Sequence, residues 1–220
     1  MPLWIKICAN TSLADAALAA EAGANAVGFI FAPSPRRVTV EQVAAITPHL
    51  PAATEKIGVF VGASFAEIAS AVELSSLTGV QLHFYPPPEL TAQLRRRFGP
   101  LLRILRVVHF SPESAPEFAF AAADPNTSAV LVDSRTAAAA GGTGIAYDWI
   151  VASKFLYQNP DLRKQELVVA GGLTPDNVAE AVTTLEPWGV DVVSGVESAP
   201  GKKDPDKVRA FIANARQTSH

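Results

Sequence analysis

The stretch LVVAGGLTPDNVAEAV, residues 167–182, contains one complete change from a strand to a helix. Its first four residues, Leu167–Ala170, are apolar throughout, which is typical of a strand buried on both faces of a parallel sheet. Gly171 and Gly172 then predict a turn. Thr174 predicts a helix N-cap, with Pro175 at the first helical position. A buried strand, a glycine turn and a capped helix form the repeating unit of an α/β protein.

The same unit recurs along the chain. Apolar, strand-like runs also occur at Leu3–Cys8, Ala26–Phe31, Lys56–Val61, Gly79–His83, Leu101–Val108, Ala129–Asp133 and Val190–Ser194. Ala- and Leu-rich helical segments separate them, and their predicted N-caps are Ser12, Thr39, Ser64 and Asp204. Ser64 is followed three residues later by Glu67, which predicts a capping box.

Eight strands alternating with helices predict a (β/α)8 TIM barrel, an α/β fold with a parallel eight-stranded core, formed by one domain over residues 1–220. An open doubly wound sheet is the alternative, but it rarely uses eight evenly spaced units. The helix after the sixth strand is the least distinct, because RTAAAAGGTG first resembles a loop.

Composition and charge exclude several classes of protein. The 220 residues are 49% hydrophobic and 18% charged, with a net charge of -3 and no basic face for nucleic acid. The single cysteine excludes an intrachain disulfide and a multi-cysteine metal site. The start of the chain lacks a signal-peptide pattern, and no apolar run approaches the ~20 residues that span a bilayer. We therefore expect a cytoplasmic protein with neither a nucleic-acid nor a membrane partner.

Glycines follow the last two strands, where TIM barrels often bind phosphate. Gly171 and Gly172 follow the seventh strand, and Ser194 and Gly195 lie at the end of the eighth. Glycine lets the backbone approach a ligand closely, and the N–H groups of a helix start favour an anion. Two such turns on the two expected strands predict a phosphate site.

Polar residues at other strand ends predict the rest of an active site. Cys8 ends strand one, Asp133 ends strand six, Arg36 follows strand two and His83 ends strand four. A lone cysteine is by default a packing residue. A sugar phosphate held at strands seven and eight would, however, place its ring between Cys8 and Asp133, which suggests an acid and a base acting on one sugar. Arg36, with Arg37 as its rival, would bind a carboxylate at the far end. His83 fits a core histidine as well as a substrate contact.

Several motifs carry a family resemblance. KIC, DAALAAEAGANAVGFIFAPSPR, VQLH, VLVDS, GGTG, AGGLTPDNV, GVDVVSGVES and PGKKD follow one another in the order found in phosphoribosylanthranilate isomerases, which the chain resembles. The resemblance implies an Amadori isomerase of tryptophan biosynthesis that uses no metal or cofactor and acts, as a monomer or homodimer, on a small phosphorylated substrate. It also implies that Cys8 is the general base, that Asp133 is the general acid and that Arg36 binds the anthranilate carboxylate.

The resemblance also assigns substrate-binding roles to backbone and loop residues. Phosphate would bind at Gly171, Gly172, Ser194 and Gly195, and the loop that contains Gly142 would close over the substrate.

The chain departs from the family pattern at several positions. Ala9 stands where the family has glycine, and if residue 9 has a positive φ we expect alanine to cost ~1 kcal/mol. Phe84 and Tyr85 also replace a glycine and an acidic residue. A metal-dependent pentose-phosphate epimerase would need more strand-end histidines than the chain has, and indole-glycerol-phosphate synthase depends on barrel lysines of which Lys6 is the main candidate and most are missing. A non-catalytic barrel that binds sugar phosphates is the rival of a different class.

Overall fold

A computed structural model describes residues 2–83, 86–111, 113–133, 149–158 and 166–217. In this part of the chain eight parallel strands close into a barrel in sequence order, and β1 pairs with both β2 and β8. The strands are β1 (Trp4–Ile7), β2 (Ala26–Ile30), β3 (Glu55–Val61), β4 (Gly79–His83), β5 (Arg103–His109), β6 (Ala129–Asp133), β7 (Glu166–Val169) and β8 (Gly189–Val192). The prediction of a parallel (β/α)8 barrel is confirmed.

Each barrel strand is followed by a helix. The helices are α1 (Leu13–Glu21), α2 (Val40–Ile46), α3 (Phe65–Leu74), α4 (Pro88–Phe98), α5 (Ala115–Ala123), α6 (Trp149–Gln158), α7 (Val178–Leu185) and α8 (Pro205–Gln217). A two-stranded hairpin, β9 (Glu197–Ala199) with β10 (Lys202–Lys203), lies between β8 and α8.

Four of the described helices, α1, α2, α3 and α8, begin where short polar side chains accept hydrogen bonds from their free N–H groups. Ser12 Oγ accepts a hydrogen bond from the Asp15 amide, and Ser64 forms the predicted capping box with Glu67. Asp204 Oδ1 accepts hydrogen bonds from the amides of residues 206 and 207 at the start of α8. These caps are confirmed.

The predicted start of α7 at Pro175 is wrong, since the helix begins at Val178 with Asn177 as its N-cap residue. Asn177 Oδ1 accepts a hydrogen bond of 2.7 Å from the Thr174 amide, and its Nδ2 donates to the Gly172 carbonyl at 3.0 Å. These bonds hold residues 174–177 in a separate turn. The glycine turn after β7 is therefore braced by a side chain before the helix starts.

Alternate residues of β1 point to the two sides of the barrel wall. Ile5 and Ile7 pack with the hydrophobic side chains between the wall and the helices, whereas Trp4 belongs to the cluster inside the barrel. Lys6 also points inward, because its ammonium reaches side chains of β4 and β8. Cys8, two residues further on, continues the inward row at the carboxyl end of the strand.

The amino-terminal end of the barrel is closed by aromatic and charged side chains. Trp4 and Trp188 stack with ring centroids 5.1 Å apart, and the Arg103 guanidinium lies over both rings. Arg103 also pairs with Glu55 at 2.7 Å and with Glu166 at 2.8 Å. With this end filled, the opposite end, where the strands finish, is the side on which a ligand can enter the barrel.

Candidate active site

The structure places three of the predicted site residues on one rim of the barrel. Cys8 directly follows β1, His83 ends β4 and Asp133 ends β6. Because all eight barrel strands are parallel, their carboxyl ends meet at this rim. Cys8 is 2% exposed and Asp133 is 4% exposed, and each continues the inward-facing alternation of its strand, so both side chains point into the mouth of the barrel. Their catalytic roles remain predictions.

The thiol of Cys8 lies against the backbone of β2. A methyl group built on Gly28 would be 2.5 Å from Cys8 Sγ and 3.0 Å from Lys6 Cε. Glycine at position 28 therefore leaves the space that the thiol and the lysine side chain share. Burial raises the pKa of the Cys8 thiol, the positive charge of Lys6 opposes that rise, and the negative charge of Asp191 adds to it.

Lys6 is fully buried and belongs to a polar network inside the barrel. Its ammonium donates hydrogen bonds of 2.9 Å to Asp191 Oδ1 and 2.9 Å to Gln81 Oε1. Burial alone would lower the pKa of Lys6, but the negative charges of Asp191 and of ionised Cys8 outweigh it, and the pKa is raised. Lys6 is therefore a charged group within an otherwise largely apolar barrel interior.

Gln81 connects this network to His83 on the rim. Its Oε1 accepts from Lys6, so its Nε2 is the donor to His83 Nε2, 3.0 Å away. That bond assigns the acceptor role to His83 Nε2 and the proton to Nδ1. The ring of His109, which pairs in register with Asp133, lies 6.3 Å from the His83 ring. Whether His83 contacts substrate remains a prediction, because a hydrogen bond to a neighbouring side chain suits a core histidine too.

Arg36 is buried and held by a carboxylate of the chain itself. Its Nε and Nη2 donate to Glu197 at distances of 2.7–3.0 Å, an arrangement in which both carboxylate oxygens are used. These hydrogen bonds raise the pKa of Arg36, which stays a cation. Within the described residues, the pairing leaves Nη1 for a ligand. The position of Arg36 is therefore compatible with binding of a carboxylate, and that role stays a prediction.

Glu197 also binds groups of its own hairpin. Its Oε1 accepts from the Gly201 amide at 3.2 Å and lies 3.4 Å from the Lys203 ammonium. Burial alone would raise the pKa of Glu197, but Arg36 and Lys203 together lower it. One anion thus joins the loop after β2 to the hairpin after β8 and fixes the orientation of the Arg36 guanidinium.

The two predicted phosphate turns are in direct contact. We call residues 171–173 and 194–196 the glycine turns. Gly171 and Gly172 have φ values of 86° and 66°, which favour glycine, and residues 194–196 form one turn of 3-10 helix. A methyl group on Gly195 would lie 1.9 Å from the Leu173 carbonyl oxygen, so only glycine allows the backbones to approach this closely. Gly142, the remaining predicted binding residue, lies outside the described residues.

Residue 9 adopts a left-handed backbone conformation. Ala9 is buried with φ at 64°, a region in which alanine is strained. Asn10 braces the turn, since its Nδ2 donates to the Ile7 carbonyl at 2.8 Å and to the Gly28 carbonyl at 3.2 Å. The condition under which alanine is costly at this position is therefore met, and the turn is kept despite the missing glycine.

Sequence reasoning assigned no role to four polar residues in and around the barrel mouth, and it considered Lys6 only for a rival function. The four are Gln81, Asp191, Glu197 and Lys203. A signal was present, because Lys6 and Asp191 are charges within apolar strand runs, and buried charges are rare unless paired. The pairing itself depends on how the first and last strands meet.

No helix in the described part of the chain is both long enough and apolar enough to cross a membrane.

Comparison with known proteins identifies relatives of this chain. The family profile of N-(5'-phosphoribosyl)anthranilate (PRA) isomerase matches residues 5–214. The N-(5'-phosphoribosyl)anthranilate isomerase of Pelobacter propionicus is 41% identical over 215 residues, covering 97% of this chain and 96% of the relative. That of Magnetococcus marinus is 42% identical over 218 residues, covering 99% and 97%.

Solved structures agree with this relationship. The phosphoribosylanthranilate isomerase of Thermotoga maritima superposes with a TM-score of 0.85 at 35% identity, covering 98% of this chain and 99% of that one. The 3-hexulose-6-phosphate synthase of Salmonella typhimurium, at 13% identity and a TM-score of 0.70, shares the fold alone. Since the family profile and relatives above 40% identity cover nearly its whole length, the chain belongs to the N-(5'-phosphoribosyl)anthranilate isomerase family.

Proposed function

We propose that this chain converts N-(5'-phosphoribosyl)anthranilate to 1-(2-carboxyphenylamino)-1-deoxyribulose 5-phosphate, an Amadori rearrangement in tryptophan biosynthesis. The observation that carries the proposal is the similarity, along nearly the whole chain, to isomerases named for this substrate. A solved relative with 34% identity was crystallised with the reduced form of that product. The ligand of this chain is accordingly a small phosphorylated molecule.

The reaction needs one acid and one base, and the rim offers a carboxyl group and a thiol. Asp133 donates a proton to the furanose ring oxygen, the bond from that oxygen to C1 breaks, and an iminium forms between C1 and the anthranilate nitrogen. The Cys8 thiolate then removes the proton from C2, and the electron pair moves toward nitrogen to give an enolamine. Tautomerisation places a proton on C1 and leaves a ketone at C2.

The thiol must ionise for this step, although burial raises its pKa in the free protein. A bound iminium puts a positive charge beside the sulfur and favours the thiolate at the moment when it is needed. The same charge acidifies the hydrogen on C2. The buried position of Cys8 is therefore consistent with a base that acts only when substrate is present.

The remaining predicted residues would hold the two ends of the substrate. The glycine turns would bind the phosphate through backbone N–H groups, as helix starts and glycine-rich turns do for anions. Arg36, oriented by Glu197, would offer Nη1 to the anthranilate carboxylate. With its phosphate at the glycine turns and its carboxylate at Arg36, the substrate would place its sugar next to Cys8 and Asp133.

The test uses the fluorescence of the anthranilate group to follow substrate consumption. We expect Cys8→Ala and Asp133→Asn each to lower kcat by about 100-fold or more, because general acid–base catalysis contributes about that much. Asp124→Asn is the matched control, since Asp124 lies between the end of α5 and the start of β6, where the strands begin and not where they finish. Near-full turnover by either rim variant would refute the acid–base assignment. Product binding without turnover by the wild-type protein would favour the non-catalytic barrel.

We also propose a monomer or homodimer as the solution state. A solved relative from Thermotoga maritima is described as a dimeric isomerase from which monomers were generated. Light scattering coupled to gel filtration distinguishes a mass of 23.2 kDa from twice that value. A cytoplasmic location remains a prediction.

A further inference from the structure

The interior of the barrel contains a buried ion pair, which is an unusual feature in a hydrophobic core. Lys6 and Asp191, 0% and 5% exposed at their side chains, form a contact of 2.9 Å. Removing an ammonium and a carboxylate from water is costly, and well-packed apolar side chains of similar volume often serve stability better. Apolar residues such as Leu105 and Leu131 do fill the neighbouring interior positions. The charges at Lys6 and Asp191 therefore point to a role other than packing.

Lys6 and Cys8 lie two residues apart along the chain, and both side chains face the interior of the barrel. The two residues are separated by Ile7, which points outward, so both side chains face the interior. Gly28 lies next to both side chains, because a methyl group built on it would contact Cys8 Sγ and Lys6 Cε. The ammonium of Lys6 is fixed in this position by Asp191 and Gln81.

We propose that Lys6 is a positioning residue for catalysis: its buried ammonium, held by Asp191 and Gln81, stabilises the thiolate form of Cys8 during proton abstraction. This inference rests on the proposed function, in which Cys8 is the base. Lys6 need not touch the substrate, since it acts through the sulfur. A preorganised charge at the site of a developing anion is a common way for a protein to favour a reacting group.

Charges on several elements act on the sulfur. Lys6 on β1 and Lys203 on β10 favour the thiolate, whereas Asp191 on β8 opposes it. Arg36, after β2, also interacts favourably with the thiolate, but its charge is largely balanced by Glu197. Lys6 has the strongest effect among the cations on the Cys8 thiol. The proposal thus predicts opposite effects for removal of Lys6 and removal of Asp191.

The single cysteine allows a direct measurement of this effect. Ultraviolet absorbance of the thiolate is titrated in each variant and corrected by the same variant carrying Cys8→Ser, which removes the contribution of tyrosine. We expect Lys6→Met to raise the pKa of Cys8 by about one unit or more, a tenfold smaller thiolate fraction at a given pH. We expect Asp191→Asn to lower it, because the thiolate then becomes the anionic partner of Lys6.

The matched control is Lys56→Met. Lys56 is also a buried lysine of a barrel strand, but its ammonium donates to the Pro51 carbonyl away from Cys8. This variant should leave the titration of Cys8 unchanged. In activity assays, the pH at which kcat/KM rises should be higher in Lys6→Met and lower in Asp191→Asn than in the wild-type protein. KM should change little in either variant.

The outcomes separate this inference from the proposed function. Shifts of the same sign in both variants, or no shift in Lys6→Met, would overturn the role of Lys6 even if Cys8 is the base. If Lys6→Met does not fold by circular dichroism, Asp191→Asn decides alone, and an unchanged or raised pKa of Cys8 refutes the proposal. Full turnover by Cys8→Ser would instead contradict the proposed function, whatever the titration shows.

Discussion

Replacing Gly195 with alanine would force the glycine turns apart. The added methyl would lie 1.9 Å from the Leu173 carbonyl oxygen and 2.9 Å from its carbonyl carbon, whereas ordinary contacts begin near 3.4 Å. The atoms that it meets are backbone atoms, so no side-chain rotation relieves the overlap. One turn must move by about 1.5 Å relative to the other.

This displacement should affect both stability and activity. Overpacking of a rigid contact costs about 3 kcal/mol, which lowers Tm by about 6–12 °C for a chain of this size. A phosphate held by displaced N–H groups would carry the sugar with it, and a misplacement near 1 Å lowers the rate by about 100-fold. We therefore expect Gly195→Ala to reduce kcat/KM by about that factor in the fluorescence assay, through a lower kcat from the misplaced sugar and a higher KM from weaker phosphate binding.

Gly99→Ala is the control for the loss of stability alone. Gly99 ends α4 with φ at 75°, has no neighbour within 4 Å of a would-be methyl, and lies at the opposite end of the barrel. It should lower Tm through backbone strain of about 1–3 kcal/mol but leave KM unchanged. If Gly195→Ala kept both the wild-type Tm and KM, the close contact of the two turns and their role in phosphate binding would be refuted.

Three further changes test other parts of the site. Gly28→Ala places a methyl 2.5 Å from Cys8 Sγ and should lower kcat by about 100-fold with little effect on KM; an unchanged kcat in steady-state assays would contradict this. Ala9→Gly relieves the positive φ of 64° and should stabilise the protein by about 1 kcal/mol, measured by denaturant unfolding; a loss of stability would show that the methyl packs better than the strain costs. Glu197→Gln breaks the pair with Arg36 and should cost about 3 kcal/mol at neutral pH. Because the pKa of Glu197 is lowered in the folded state, this difference should shrink as the pH falls below 4.5, and a pH-independent difference in unfolding free energy would contradict the pairing.

The barrel was predictable because its strands are apolar on both faces. β4 and β6 begin and end at the predicted residues, Gly79–His83 and Ala129–Asp133. β5 was predicted to start at Leu101, which is in fact 92% exposed in the turn before the strand. Hydrophobicity alone does not reveal whether an apolar residue at a strand end is buried. The late start of α7 has a similar cause, since an Asn side chain competes with the backbone for the first hydrogen bonds.

The candidate site was predictable where a residue's position on a strand determines its place in the barrel. The sequence order of the strands was enough to put Cys8 and Asp133 on one rim. The anionic partners of Lys6 and Arg36, Asp191 and Glu197, were not predictable, because they lie 185 and 161 residues away in the chain. Their identities depend on the register with which β8 meets β1 and on the fold of the hairpin after β8, and neither follows from local sequence patterns.

The meeting of β1 with β8 has a consequence for how the protein matures. During synthesis, β1 leaves the ribosome first but lacks one neighbouring strand until residues 189–192 emerge. Until then the Lys6 ammonium has no Asp191 to compensate it, and burying it among the N-terminal segments would be costly. The reactive rim is therefore assembled in a late, nonlocal event. We therefore expect a chain truncated before β8 to stay unfolded and to be degraded by proteases. No partly active intermediate should accumulate.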